Sequence, residues 1–360
     1  MSPGSTSKTT QSAGNVAGPN RAGPRRGPLH SSMGDEAIKQ VKRQAFKTSS
    51  TIRLSSSTSL AATKSANAMS TKNNHTLDIL AKAEAGGYGV LSQVCYDWAE
   101  VVGVIRAAER FKAPVIVQLF PVTLQYGGGP FLQLLLDMAH NASVPVSVHL
   151  DHATNDEQLE LAVGLAEKGI KFDSIMVDAS HADTDEENIN IAIPWIKRCN
   201  AAGVRTEVEL GRLEGGEAGL RQVEGTILTD PAKAEEFLKR TGADILAPCV
   251  GNRHGSYVPF GGADGQWDMQ LLETLSKQFK GRIPICAHGT DELPEHMWGQ
   301  MIKAGVSKIN VNSWIRDPYI ENLCEGLKTK PMPEAIEDAT EVVINECEKL
   351  FKLFGCIGKA

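Results

Sequence analysis

Nowhere in the 360 residues do about 18 apolar side chains run together, so no segment suits a membrane-crossing helix. Cysteine is sparse and unpatterned. Cys95, Cys199, Cys249, Cys286, Cys324, Cys347 and Cys356 make an odd number without CxxC spacing, and no secretory apolar region precedes them. That argues against a disulfide framework and against a cysteine-based zinc knuckle. Acids are missing altogether from Ala37 to Asn74, and the first 75 residues carry eleven Lys and Arg against Asp35 and Glu36, a balance of +9. This stretch also lacks the recurrent large apolar residues that offset the entropy of ordering a backbone, so residues 1–75 are expected to be a disordered, basic, Ser/Thr-rich tail. Ile38, Val41, Ala45 and Phe46 could share one face of a short amphipathic helix, which leaves a mitochondrial transit peptide as the alternative. A start codon placed too far upstream is a third reading, since Met33 and Met69 both lie nearer the folded part. The expected compartment is therefore the cytoplasm, or the mitochondrion if the segment is an address. Almost no aromatics interleave these basic residues, which speaks against nucleic-acid binding.

What remains is a different polymer. The net charge of the whole chain is -6, so the residues after His75 carry -15. Short Val- and Ile-rich runs recur there every 25 to 40 residues: Gly89–Val94, Pro114–Leu119, Pro145–Leu150, Asp173–Asp178, Arg205–Leu210, Asp244–Cys249, Ile283–Ala287 and Ser307–Val311. Several are continuously apolar, the mark of strands buried on both faces and paired in parallel. Between them lie helical periods. Trp98, Val101, Val102 and Ile105 predict one buried helix face; Leu159, Leu161, Ala162 and Leu165 predict another, with Asp156 as its cap and Lys168-Gly169 at its end. Eight strand–helix units over about 250 residues predict an α/β fold, a (β/α)8 TIM barrel over residues 76–330. A doubly wound open sheet is the alternative, but no GxGxxG follows the first run. Residues 331–360 are expected to form a helical extension, with Met332–Phe354 as an extra helix and a possible dimer contact.

In such a barrel chemistry sits at the C-terminal ends of the strands, and polar residues collect there. The third run ends His149-Leu150-Asp151-His152 and the fourth Asp178-Ala179-Ser180-His181; the fifth carries Glu207 and Glu209. The sixth is followed by Gly251-Asn252-Arg253-His254-Gly255, the seventh by His288-Gly289-Thr290, and the eighth ends Asn310-Val311-Asn312-Ser313. A lone histidine there is more often just hydrogen-bonded. Three at matching positions on three strands, with carboxylates between them, suit a catalytic zinc with an open position.

The ordered motifs Val146–His152, Ser174–His181, Glu207–Gly211, Gly251–Gly255 and Lys308–Asn312 resemble those of the class II, zinc-dependent ketose-bisphosphate aldolases, from about Leu77 to Tyr319. The resemblance implies a homodimer that cleaves a phosphorylated ketose reversibly to dihydroxyacetone phosphate and an aldehyde through a zinc-stabilised enediolate. It implies His152, His254 and His288 as zinc ligands, and Asp178 and Glu209 as ligands of a second or exchanged divalent metal. Asp151 is implied as proton donor. Glu217, eight residues after Glu209, is implied as the mobile-loop glutamate that moves the substrate-carbon proton; the glycine-rich segment Gly211–Gly225 reads by glycine content as an ordinary flexible loop or a lid, and the position of Glu217 favours the lid. Gly255, Gly289, Thr290, Asp291, Asn310, Val311, Asn312 and Ser313 fall at substrate-binding positions. No Schiff-base lysine is needed where a metal polarises the carbonyl.

The chain departs from that family in its substrate shell. The seventh run usually continues Gly-Gly-Ser/Thr-Gly, whose N–H groups cradle a phosphate; here it reads Gly289-Thr290-Asp291-Glu292, and two carboxylates would repel a dianion unless they turn away. The usual Asn after the first strand falls in Ser92-Gln93-Val94, the usual Ser after the second is Phe120, and Trp314 follows the eighth. Three readings follow: an aldolase of altered specificity, a metal-bearing barrel with a different reaction on a phosphorylated or carbonyl compound, and a non-catalytic homologue.

Overall fold

The computed structural model describes residues 74–216 and 223–360. The expected tail before Asn74 and the tip of the loop bearing Glu217 lie outside the described residues. Eight parallel strands close into a barrel in chain order: β1 Val90–Val94, β2 Val115–Leu119, β3 Val146–Ala153, β4 Ser174–Val177, β5 Arg205–Leu210, β6 Ile245–Pro248, β7 Ile285–Ala287 and β8 Val306–Val311. Each coincides with one of the eight apolar runs. They are continuous in sequence because strand residues are buried whichever way they point, outward under the helices or inward to the barrel axis. The strand that differs most is β3, which runs three residues past Leu150. Its register with β4 shifts between Leu150 and Ala153, around a left-handed His152 at φ 49°. A non-glycine residue held there is strained, and such strain gathers at functional sites.

Helix α1 (His75–Gly86) precedes the barrel and meets its N-terminal end. Asn74 caps it and donates to the Asp173 carbonyl, while Thr76 Oγ1 lies 2.6 Å from Ser147 Oγ and 2.9 Å from Ser174 Oγ. The wrapping helices are α2 (Trp98–Phe111), α3 (Pro121–His140), α4 (Asp156–Ala166), α5 (Asp185–Ala202), α6 (Pro231–Thr241), α7 (Met269–Phe279) and α8 (Glu295–Ala304), and α9 (Ser313–Thr329) follows β8. Two expectations need correction. The cap of α4 is Asn155, whose side chain accepts from Gln158 N, with Asp156 in the first turn. The buried face of α2 is Val101, Val104, Ile105, Ala107 and Ala108, whereas Trp98 is 53% exposed at the helix start. The face is rotated because α2 packs against both the barrel and the last helix, α10 (Met332–Phe354).

The α2–α10 contact is close. A Cβ on Gly103 would come within 2.7 Å of Val343, so glycine lets the helices approach. Salt bridges Arg106–Glu337 and Arg110–Glu341 run along the seam. The apolar face of α10, from Ala335 through Val343, Ile344, Cys347 and Phe351 to Phe354, is filled by this same chain. No helix among the described residues is long and apolar enough to cross a membrane.

Candidate active site

The barrel interior is polar. Ser92 on β1 donates to Gln118 Oε1 on β2 at 2.6 Å, which orients that amide so that its NH2 donates to Asp151 Oδ2 at 3.0 Å. From the other side Asn310 on β8 donates to the same carboxylate at 3.1 Å, and the Asn310 oxygen accepts from Lys308 Nζ at 2.8 Å. Lys308 also pairs with Glu207 Oε2 at 2.9 Å, both fully buried, and Glu207 Oε1 reaches His288 Nε2 at 2.8 Å. Burying two charges costs several kcal/mol per ion, so the pair persists only because each partner answers the other. Burial alone would raise the Glu207 carboxyl, yet Lys308 and the His288 hydrogen bond hold it well below its ordinary range. Burial also opposes the Lys308 charge, and the groups around it, Cys286, Glu207 and Asp151, keep it above its usual value.

Two carboxylates fix two imidazoles. Asp178 Oδ2 lies 2.7 Å from His152 Nδ1, and Glu207 Oε1 lies 2.8 Å from His288 Nε2. A carboxylate here can only accept, so those nitrogens carry the protons, and His152 Nε2 and His288 Nδ1 turn towards each other at 2.9 Å. Two lone pairs so placed repel unless a proton or a metal lies between them. His254 completes the set: ligand atoms of His152, Glu209, His254 and His288 all lie within 4.8 Å of one another. Glu209 Oε2 is buried without a hydrogen-bond partner. The field of the site calls for positive charge. Despite burial, Asp151 and Asp178 raise His152 to about 10, while burial drives His254 well below its ordinary value. Burial and the neighbouring Asp178 push Glu209 upward. Nitrogen donors, one unsatisfied carboxylate oxygen and this field fit a divalent metal of the zinc type.

The four residues come from separate barrel segments, β3, β5 and the loops after β6 and β7, which is why they are scattered in sequence. Asp178 stands outside the cluster. Its second oxygen accepts from Ser180 N and Oγ at 3.0 and 2.7 Å, so it serves His152 rather than lying among the ligand atoms. A cavity of about 420 Å³ opens on this side, bounded by His152, Asp178, His181, Glu209 and His254. The arms of the β5 loop pair with each other at Arg212–Ile227 and Gly215–Val223, and Glu214–Gly215 pairs in parallel with Arg253–His254. A Cβ on Gly215 would stand 2.0 Å from the His254 carbonyl oxygen, so this contact between loop and ligand segment requires glycine.

On the other side of His254 and His288 a narrow crevice passes Asp151 to Gly289, Thr290, Asn310, Val311 and Asn312. Phe120, in place of a small polar residue, is fully buried with its ring 6.4 Å from that of His152. Tyr257 braces the β7 loop. Its hydroxyl donates to the Gly289 carbonyl at 2.6 Å and accepts from Trp267 Nε1 and Arg253 N, each at 2.9 Å. Trp314 Nε1 donates to the Thr290 carbonyl at 3.0 Å.

A fold of this kind carries many chemistries, so the donor set needs a lineage. Residues 74–359 match the model of the family described as fructose-bisphosphate aldolase class-II. The chain belongs to the class-II fructose-bisphosphate aldolase family. A Coccidioides immitis protein named for fructose-bisphosphate aldolase is 34% identical over 297 residues, covering 81% of this chain and 96% of its own. The fructose-bisphosphate aldolase of Thermus caldophilus is 31% identical over 310 residues, covering 79% and 98%. Among solved structures, the YdjI aldolase of Escherichia coli K12 superposes with a TM-score of 0.67 at 26% identity, covering 79% of this chain and 97% of that one. This family member is accordingly an aldolase, a lyase, and its family's substrates are phosphorylated sugars. Sequence reasoning placed Glu207 at the barrel mouth without its role and missed Gln118 and Lys308 as supports of the site. The available signal was a polar residue inside an otherwise apolar strand.

Proposed function

We propose that the chain is a zinc-dependent aldolase that reversibly cleaves a ketose to a small ketone and an aldehyde. One observation carries this reading: the facing His152 and His288 nitrogens, with His254 and Glu209 beside them, adjoin the crevice that holds Asp151. A divalent metal held by those residues supplies Lewis acidity to a substrate carbonyl. The chain's own groups move the protons. Asp151 is gripped by two amide donors, Gln118 and Asn310, and faces the crevice, a carboxylate positioned to take or return a hydroxyl proton. In cleavage the hydroxyl proton passes to Asp151, the C–C bond breaks, and its electron pair stays with the ketone fragment. We assign Glu217, on the loop after β5, to the return of a proton to that fragment's carbon. Glycine N–H groups at Gly255 and Gly289 and the side chains of Asn312 and Ser313 would orient substrate oxygens.

His254→Ala tests the reading. Metal content by elemental analysis and chelator-sensitive cleavage of fructose, tagatose and sedoheptulose bisphosphates and of unphosphorylated ketoses should fall together. Activity retained by a metal-free variant would overturn the mechanism.

A further inference from the structure

The crevice beyond His288 is small, and apart from the histidines and the metal they would hold it offers an anion no cationic partner. Its space is about 10 Å³, room for roughly one water-sized group. Its lining includes the Asp151 carboxylate and neither lysine nor arginine. Where its Thr290 and Asn312 walls end, the next residue of each segment meets the other: Ser313 Oγ donates to the Asp291 carboxylate. Ser313 is the first residue of α9, and the opening turn of a helix has unpaired N–H groups that favour negative charge. Through Ser313, Asp291 therefore sets a carboxylate of the chain itself beside the first residue of α9, at the edge of the crevice. The neighbouring Glu292 plays no such part. It accepts from Ser256 Oγ at 2.8 and 2.9 Å and from Tyr257 N at 2.9 Å, on the loop after β6.

We propose that Asp291 sets the substrate class: the ketone fragment held against this loop ends in a free hydroxymethyl group whose hydroxyl donates to Asp291, and any phosphate of the ketose lies at its other end. This rests on the aldolase reading. A phosphoryl dianion beside Asp291 and Asp151 would meet like charge, whereas a hydroxyl is neutral, small and a donor.

The test needs no knowledge of the aldehyde. The zinc-loaded full chain is incubated in D2O with dihydroxyacetone or with dihydroxyacetone phosphate, and loss of the C–H signal beside the carbonyl is followed by NMR. A carboxylate removes the proton, the electron pair passes into the carbonyl system, and a deuteron returns to the same carbon. Expected is faster exchange of dihydroxyacetone, with kcat/KM higher by roughly a hundredfold. In Asp291→Ser the preference should invert, chiefly through a lower KM for the phosphate. Preference for dihydroxyacetone phosphate in the wild-type chain overturns this inference and leaves the aldolase reading standing, even if the variant fails to fold. An unchanged preference in a folded Asp291→Ser chain also overturns it. Exchange of neither donor overturns both.

Discussion

Asp178 and Glu207 perform the same service for two histidines in unlike surroundings, and the difference is measurable. Asp178 is supported by Ser180, and without it His152 still has Asp151 as a neighbouring counter-charge, so Asp178→Ala should weaken metal binding by about 10- to 100-fold while the fold survives. Glu207 also neutralises the fully buried Lys308. Glu207→Gln should therefore weaken the metal comparably and in addition destabilise the protein by about 3–5 kcal/mol, because a buried ammonium is left without its counter-charge. Titration against a competing chelator and thermal melts of the two variants give the comparison. Equal stability would show that Lys308 is compensated elsewhere. None of this was legible in the sequence. Glu207 stood out as a charge in a strand, but which imidazole nitrogen it would reach, and that Lys308 would lie opposite, depends on how β5, β7 and β8 come together.

Between elements, two contacts have measurable consequences. Where α2 meets α10 there is no room at Gly103, so Gly103→Ala should cost about 1–3 kcal/mol by overpacking. Val343→Ala removes Cγ1, one of the two Val343 atoms in the way, and leaves Cβ, so the double variant should lose somewhat less than the sum of the two single losses; simple additivity would mean that the helices move apart freely. At the other end of the barrel, α1 is docked through His75, stacked 4.3 Å from His140, whose Nε2 lies 3.0 Å from Asp173. The Asp173 hydrogen bond, against partial burial, raises the His140 pKa above its ordinary value. A raised folded-state pKa means stabilisation that is complete below the unfolded value of about 6.5 and lost as pH rises through the folded value. The His140 side chain is 34% exposed, so solvent screening holds the effect to under about 1 kcal/mol. The melting difference between wild type and His140→Gln should accordingly be larger near about pH 5.5 than near about pH 9; a difference independent of pH would assign the contact to packing alone. The elements themselves were largely legible. All eight strands and the bounds of α10 follow from apolar runs and periodicity, because burial on two faces or one stripe leaves a direct trace. The rotated face of α2 was not, since its second neighbour, α10, lies some 230 residues away.

Over the whole molecule, the candidate ligands tie four of eight strand–loop segments of a closed ring into one point. His152, Glu209, His254 and His288 can meet only when β3, β5, β6 and β7 are all in place, so a metal held by them would bind the folded barrel and not the open chain. The carboxylates around that point, Asp151, Asp178, Glu207 and Glu209, are each at most 7% exposed, and the buried Lys308 answers only Glu207 directly, so a metal cation would offset much of the repulsion that remains. Metal at a thousandfold excess over its dissociation constant should stabilise the fold by about 4.1 kcal/mol. At about 2–4 °C per kcal/mol for a chain of this size, chelation should lower Tm by roughly 8 °C or more. The loss should appear as a shift of one cooperative transition, because the ring is closed and the strands that carry the ligands cannot open without breaking it. Differential scanning calorimetry of the chelated and zinc-reloaded protein provides the measurement, with His254→Ala alongside as a variant that should not respond to zinc. A shift of the same size in His254→Ala would place the stabilising metal elsewhere, and a first transition that alone responds to zinc would mean that the metal-bearing segments open independently of the rest of the barrel.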